Sequence, residues 1–208
     1  MDKNKLDFIV VGTAKSGTTS LHELIKNHPD IAVPKAKEVP FFNDPLLQKK
    51  GINWYLKQHF KGRSKNIKWG TVTPQYTYYK NDFSPKDTAR LIKKHNPNIK
   101  IVVILRHPVA RTFSHFKTSV RRSNEKRSFY QAVNDLISNP ENLNLQRHSN
   151  WDPTNIFLLG SEYGNILKDY YKVFGKRNIL LLNFEELKDH PDIVLNRLFK
   201  FIGVDDRY

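Results

Sequence analysis

Phe8-Ile9-Val10-Val11-Gly12-Thr13-Ala14-Lys15-Ser16-Gly17-Thr18-Thr19 decides the fold. Four apolar residues in a row suit a short strand covered on both faces. The stretch bounded by Gly12 and Gly17 then leads into a helical pattern, with Leu21, Leu24 and Ile25 at i, i+3 and i+4. A strand, a glycine-bounded loop and a helix in this order form a phosphate cradle, because a helix N-terminus presents unpaired N–H groups and a partial positive charge. Gly12 and Gly17 are expected to let the backbone approach the anion closely. Lys15 adds a full positive charge, and Thr18, Thr19 and Ser20 add hydroxyl donors. The glycine spacing matches the common nucleoside-triphosphate loop, Gly-x-x-x-x-Gly-Lys-Ser/Thr, but Thr18 stands where that loop requires lysine. The reading is a phosphate-containing ligand without ordinary ATP chemistry.

Outward from this loop, apolar strand-like runs alternate with helical patterns, the signature of an α/β domain with a mainly parallel sheet. Strands are expected at Asp7 to Val11, Ile31 to Val33, Ile67 to Thr71, Ile99 to Leu105 and Asn178 to Phe184. Helices are expected at Thr18 to Asn27, Ile52 to Phe60, Pro85 to about Asn96 with Ser84 as N-cap, Pro108 to Arg122, Ser128 to Ser138, Tyr163 to Phe174 and Pro191 to Ile202. Pro140 to Pro153, polar and rich in Asn, reads as a mobile or substrate-facing loop.

The chain of 208 residues is long enough for one domain with a real core, and its aromatic content (Phe 13, Tyr 9, Trp 3) supplies that core. No apolar run approaches the roughly 20 residues that span a bilayer, and the N-terminus lacks the apolar centre of a signal peptide. The absence of cysteine excludes disulfides, thiolate metal sites and a cysteine nucleophile, and makes a cytoplasmic location the expectation. A formal charge of +15 attracts anionic partners.

A second constellation follows the strongest strand: Arg106-His107-Pro108-Val109-Ala110-Arg111-Thr112-Phe113-Ser114. Arg106 stands at the strand's carboxyl end, where open α/β sheets bind ligands. Ser114 lies about two turns into the next helix. A guanidinium and a hydroxyl can meet on one phosphate there. His107 is adjacent and titrates near neutral pH, but alternation along an extended segment turns it away from a ligand held by Arg106. The remaining histidines, His22, His28, His59, His95, His115, His148 and His190, show no metal-ligating spacing and are expected at the surface or as caps.

Together these motifs resemble the sulfotransferases that use 3′-phosphoadenosine 5′-phosphosulfate (PAPS). Lys15-Ser16-Gly17-Thr18-Thr19 is similar to the family's 5′-phosphosulfate loop, and Arg106 through Ser114 to its Arg-x-Pro-x-x-Arg-x-x-Ser motif for the 3′-phosphate. Lys37-Glu38-Val39-Pro40-Phe41-Phe42, Thr73-Pro74-Gln75-Tyr76, Phe184-Glu185-Glu186-Leu187 and Phe201-Ile202-Gly203-Val204 extend the likeness, which is greatest for the heparan sulfate type. The resemblance implies a three-layer, P-loop-like α/β fold with a central, mainly parallel sheet, and one sulfotransferase domain over residues 1–208. It implies sulfuryl transfer from PAPS, with no metal, to a hydroxyl or amine of a glycan, glycolipid or small alcohol. Lys15, Ser16, Gly17, Thr18, Thr19, Ser20, Arg106 and Ser114 would bind the donor, and Lys15 would also serve in catalysis.

Read alone, Glu38 looks like a surface ion pair with a neighbouring lysine; the resemblance makes it the base that deprotonates the acceptor. Two departures stand out. Thr71-Val72 occupies the place of a Glu-Lys pair in the glycan enzymes, and only four residues follow Val204, short of the family's basic loop that closes over the donor. Two other functions stay open on the residues themselves: a kinase-like nucleotide phosphotransferase, and a non-enzymatic binder of polyanions. No specific nucleic-acid-binding motif is present.

Overall fold

The computed structural model describes residues 5–60, 66–79, 83–139 and 157–207. The Asn-rich stretch from Pro140 to Pro153 and His148 lie outside the described residues. Five strands form one sheet in the order β2-β3-β1-β4-β5. They are β1 (Phe8–Gly12), β2 (Ile31–Ala32), β3 (Lys68–Val72), β4 (Lys100–Leu105) and β5 (Ile179–Asn183). Every neighbouring pair is parallel. β1 is central, with Phe8 opposite Gly70 of β3 and Lys100 of β4.

Side-chain alternation builds the layers. Phe8 and Val10 point to one face of β1, and Ile9 and Val11 to the other. The first face packs on α1 (Thr18–Ile25), α8 (Phe184–Asp189) and α9 (Pro191–Ile202), through Leu21, Ile25, Leu187, Val194 and Leu198. The second packs on α3 (Ile52–His59), α4 (Pro85–His95) and α7 (Tyr163–Phe174), through Tyr55, Ala89, Ile92 and Tyr170. Two further helices, α5 (Pro108–Arg121) and α6 (Phe129–Ser138), share a small cluster of Phe116, Ala132, Leu136 and Phe157 beside the sheet. The short α2 (Pro45–Lys49) completes the set of described helices.

Helix ends follow local chemistry. Ser84 caps α4 in a reciprocal capping box with Asp87, and Pro85 takes the first helical position. Ser128 caps α6 in the same way with Gln131. α1 stops at Ile25, two residues short of expectation, and Leu24 is exposed rather than part of the apolar stripe. The expected last strand ran to Phe184, but Asn183 caps the Glu186 N–H, and Phe184 begins α8 with Glu185 and Glu186 in its first turn.

The connections place the site. α1 follows β1 on one face of the sheet, while α4 follows the neighbouring β3 on the other. The two chains therefore part at the carboxyl ends of β1 and β3, which opens a crevice there.

Candidate active site

The loop after β1 is fixed from below. The Thr13 N–H donates to the Ile104 carbonyl at 2.9 Å, and Thr13 Oγ1 donates to the same oxygen at 3.1 Å. Thr13 Oγ1 also meets Ser16 Oγ at 2.7 Å. Lys15 and Gly17 both take positive φ, +70° and +83°, so the chain makes two left-handed steps and enters α1 with its first-turn amides facing the crevice. Both glycines also answer to packing. A Cβ on Gly17 would lie 2.7 Å from Phe184 Cδ2, and a Cβ on Gly12 would lie 2.6 Å from Thr77 Cγ2. Gly12 thus answers to the turn after β3, and it stands outside the cleft lining while Gly17 belongs to it.

Arg106 arrives at the end of β4. Its Nη1 donates to the Lys15 carbonyl at 3.1 Å, and its guanidinium lies 4.5 Å above the Phe184 ring. Its carbonyl accepts from Tyr163 Oη at 2.9 Å. Arg106 Nε is buried and has no hydrogen-bond partner among the described residues. Lys15 and Arg106 line a single cleft of about 330 Å³, along with Gly17, Thr18 and Thr19. Glu38, Gln75, Tyr78, His115, Thr118 and Arg122 close the other sides.

Glu38 also has a positive φ, +69°. Its N–H donates to the Val72 carbonyl at 3.3 Å. Its Oε1 pairs with the Lys37 ammonium, and its Oε2 accepts from Gln75 Nε2 at 2.8 Å. The ion pair and the cleft position thus coexist: Glu38 has its neighbouring lysine and faces the loop. Thr71 and Val72 are buried in β3, and neither position brings a charge to the cleft.

The other expected site residues divide. Ser16 is buried with its hydroxyl on Thr13, Ser20 is exposed, and Ser114 is half-buried on α5; none of the three lines the cleft. His107 is exposed at the start of α5 and outside the cleft, turned away as alternation requires. Not all histidines are peripheral, however. His22, His28 and His115 are buried, the first two near the backbone carbonyls of Pro34 and Asp205.

α5 contributes more than its first turns. Arg111, His115, Thr118 and Arg122 recur at i, i+4, i+7 and i+11, one stripe along the helix and its C-cap. Three of the four line the cleft; Arg111 is fully buried and braces it. Arg111 donates from Nε to Ser161 Oγ at 2.6 Å, from Nη1 to the Ala14 carbonyl at 3.4 Å, and from Nη2 to the Phe157 carbonyl. It ties α5 to the phosphate loop and to the turn before α7. Its Nη1 lies 3.3 Å from His115 Nδ1, which must accept from a guanidinium, so the neutral ring carries its proton on Nε2. The stripe was readable as a run of polar residues at helical period.

The electrostatics are those of an anion site. Burial holds the Lys15 pKa below the ordinary lysine value, Arg121 and Arg122 push it the same way, and Glu38 opposes them. Among the described residues there is no group of three or more His, Cys, Asp and Glu side chains able to hold a metal ion. No helix among them is long and apolar enough to cross a membrane.

Fold and site together define an α/β protein with a cationic cleft and a phosphate-cradle loop at the carboxyl ends of its strands. The chain belongs to the sulfotransferase family: the model of the sulfotransferase domain matches residues 5–207. The bifunctional heparan sulfate N-deacetylase/N-sulfotransferase 4 of Mus musculus is 28% identical over 212 residues, covering 97% of this chain and 22% of that protein. The chain therefore spans under a quarter of the length of that curated relative. Among solved structures, a sulfotransferase from Alicyclobacillus acidocaldarius superposes with a TM-score of 0.79 at 28% identity, over 98% of this chain and 83% of that one. Mouse sulfotransferase SULT7A1, solved in complex with PAP, shares the fold at a TM-score of 0.56 and 19% identity, over 96% and 59% of the two chains.

Proposed function

We propose that the cleft transfers a sulfuryl group from PAPS to a hydroxyl or amine of a saccharide acceptor. The observation that carries this reading is the meeting of the two motifs: Arg106 donates to the Lys15 backbone, and both side chains face one cleft across from Glu38. The residues suit the donor. The Arg106 guanidinium lines the cleft and offers it a cationic fork for one phosphate, and the left-handed loop presents first-turn amides and the Lys15 ammonium to a second one. SULT7A1, alike in fold, was crystallised with the desulfated nucleotide PAP.

When bound, PAPS supplies the sulfuryl group, and its bridging oxygen keeps the electron pair as the S–O bond breaks. Glu38 accepts the proton of the attacking hydroxyl or amine. Lys15 and the Thr18 and Thr19 amides stabilise negative charge developing on the departing phosphate. Arg106 anchors the other phosphate; Ser114, outside the cleft lining, is its partner only on the likeness of the Arg106–Ser114 motif to the family's. The saccharide class rests on the heparan sulfate N-sulfotransferase likeness and on the cationic Arg122 in the cleft lining. A phosphotransferase reading lacks the lysine after Gly17.

The test is release of PAP from PAPS in the presence of heparosan oligosaccharides bearing free amines. Wild-type protein is expected to release PAP and sulfate the oligosaccharide. Glu38→Gln should lower kcat by about 10²–10⁴-fold with PAP affinity kept. ATP turnover without PAPS turnover would sink the proposal.

A further inference from the structure

α5 has two faces, and the cleft uses one of them. Opposite the stripe of Arg111, His115, Thr118 and Arg122, a second set recurs at i, i+4, i+8, i+11 and i+12: Val109, Phe113, Lys117, Val120 and Arg121. Phe113 stands two positions from both Arg111 and His115, about 200° around the helix. The outer side chains are open to solvent. Val109 is 62% exposed, Phe113 42% and Val120 44%, and Lys117 and Arg121 are exposed as well. None of the five lines the cleft. Of the nine large hydrophobic side chains exposed among the described residues, five belong to α5 and α6, so apolar exposure concentrates on this side of the molecule.

The same face carries one sign of charge. No Asp or Glu stands between Leu105 and Glu125, and Glu125 is itself buried with its carboxylate on Arg127. Lys117 and Arg121 have no carboxylate partner among the described residues. The Lys117 ammonium lies 5.0 Å over the Phe113 ring, so a cation and an apolar surface are presented together. The face is the convex outside of a helix, about 18 Å long from Val109 to Arg121. Apolar side chains interleaved with cations on such a ridge match the boundary between acyl chains and anionic headgroups. A dissolved polyanion would leave Val109, Phe113 and Val120 in water, and an apolar protein groove would leave Lys117 and Arg121 unmatched.

We propose that the outer face of α5 docks the protein on an anionic lipid surface. Lys117 and Arg121 meet the headgroup phosphates, and Val109, Phe113 and Val120 enter the boundary beneath them. The cleft stripe, on the other side of the helix, faces away from the lipid and stays open to a dissolved acceptor. The inference goes beyond the sulfuryl-transfer reading and does not depend on it.

The experiment is sedimentation of the whole protein with phosphatidylcholine vesicles containing phosphatidylglycerol, against pure phosphatidylcholine, at ~0.15 M salt. Binding is expected to the anionic vesicles and should be about tenfold or more weaker to the neutral ones. Phe113→Asp and Lys117→Glu should each weaken anionic binding by about tenfold or more. Leu46→Asp on α2, where the side chain is 71% exposed, and Lys57→Glu, exposed on α3, make the same chemical changes elsewhere. These two should alter binding by less than about threefold. Absence of sedimentation with anionic vesicles overturns the proposal. Equal losses in Phe113→Asp and Leu46→Asp, or in Lys117→Glu and Lys57→Glu, overturn it too, because the attraction would then belong to the net charge and not to this face. A dimer that Phe113→Asp dissolves, in a protein that binds no vesicle, overturns it in favour of a second copy on the same face.

Discussion

Lys15 lines the cleft with its charged form disfavoured. Its ammonium is destabilised first by burial and then by Arg121 and Arg122, so its proton leaves at a lower pH than the ordinary 10.5. An anionic nucleotide needs the charged form and restores it. PAP affinity is thus expected to fall as pH rises through the depressed Lys15 value, and binding in that range should take up protons. Calorimetry in two buffers of different ionisation heat reads that uptake directly, and Lys15→Arg should move the alkaline limb upward. An affinity that stays flat across the alkaline range contradicts this. Both motifs were legible because each is a compact run of side chains with one chemical purpose. Gln75 was quoted in its stretch but assigned no role, since its hydrogen bond to Glu38 spans 37 residues and only the packed turn reveals it. Two of the buried histidines, His22 and His28, were missed for a related reason: their partners include backbone carbonyls distant in sequence.

At the scale of elements, the pairing of β1 with β3 depends on a missing side chain. Gly70 sits opposite Phe8, and a Cβ there would lie 2.1 Å from Phe8 Cζ, on a ring that is fully buried. Gly70→Ala must displace that ring in a packed core. We expect it to cost about 1–3 kcal/mol in chemical denaturation, with the slope of the transition kept; a variant as stable as wild type would show that the core yields there. Arg111 is the corresponding tie for the helices. Arg111→Ala removes donors to Ser161, Ala14 and Phe157 and leaves a cavity under the phosphate loop. Both stability and PAP affinity should drop, whereas Ser20→Ala, on the exposed side of α1, should change stability by less than about 0.5 kcal/mol. Elements with strong caps were readable to within a residue or two, as at Ser84 and Ser128. α8 was not, because the apolar run of β5 carries on into Phe184, and the Asn183 cap with acidic residues behind it was the signal to weigh instead.

Over the whole molecule, a formal charge of +15 surrounds a cleft whose own lining is cationic. Encounter with a carboxylated polysaccharide should therefore weaken with salt more than encounter with a neutral acceptor. Comparing kcat/KM for heparosan and for a neutral diol at rising ionic strength checks this, and equal salt slopes would deny the field a role. The three-layer architecture was legible from the alternation of runs and patterns. The crevice between β1 and β3 was not, because it arises from α1 and α4 leaving adjacent strands on opposite faces. The adjacent carboxyl ends of β3, β1 and β4 bring residues 38, 15 and 106 to one place, and the most direct measurement of that meeting is calorimetric titration with PAP against AMP. The account predicts that wild type binds PAP well ahead of AMP, and that Arg106→Ala loses about ten- to a hundredfold toward PAP while AMP changes little. Equal affinity for the two nucleotides, or a preference for PAP that survives Arg106→Ala, would contradict it.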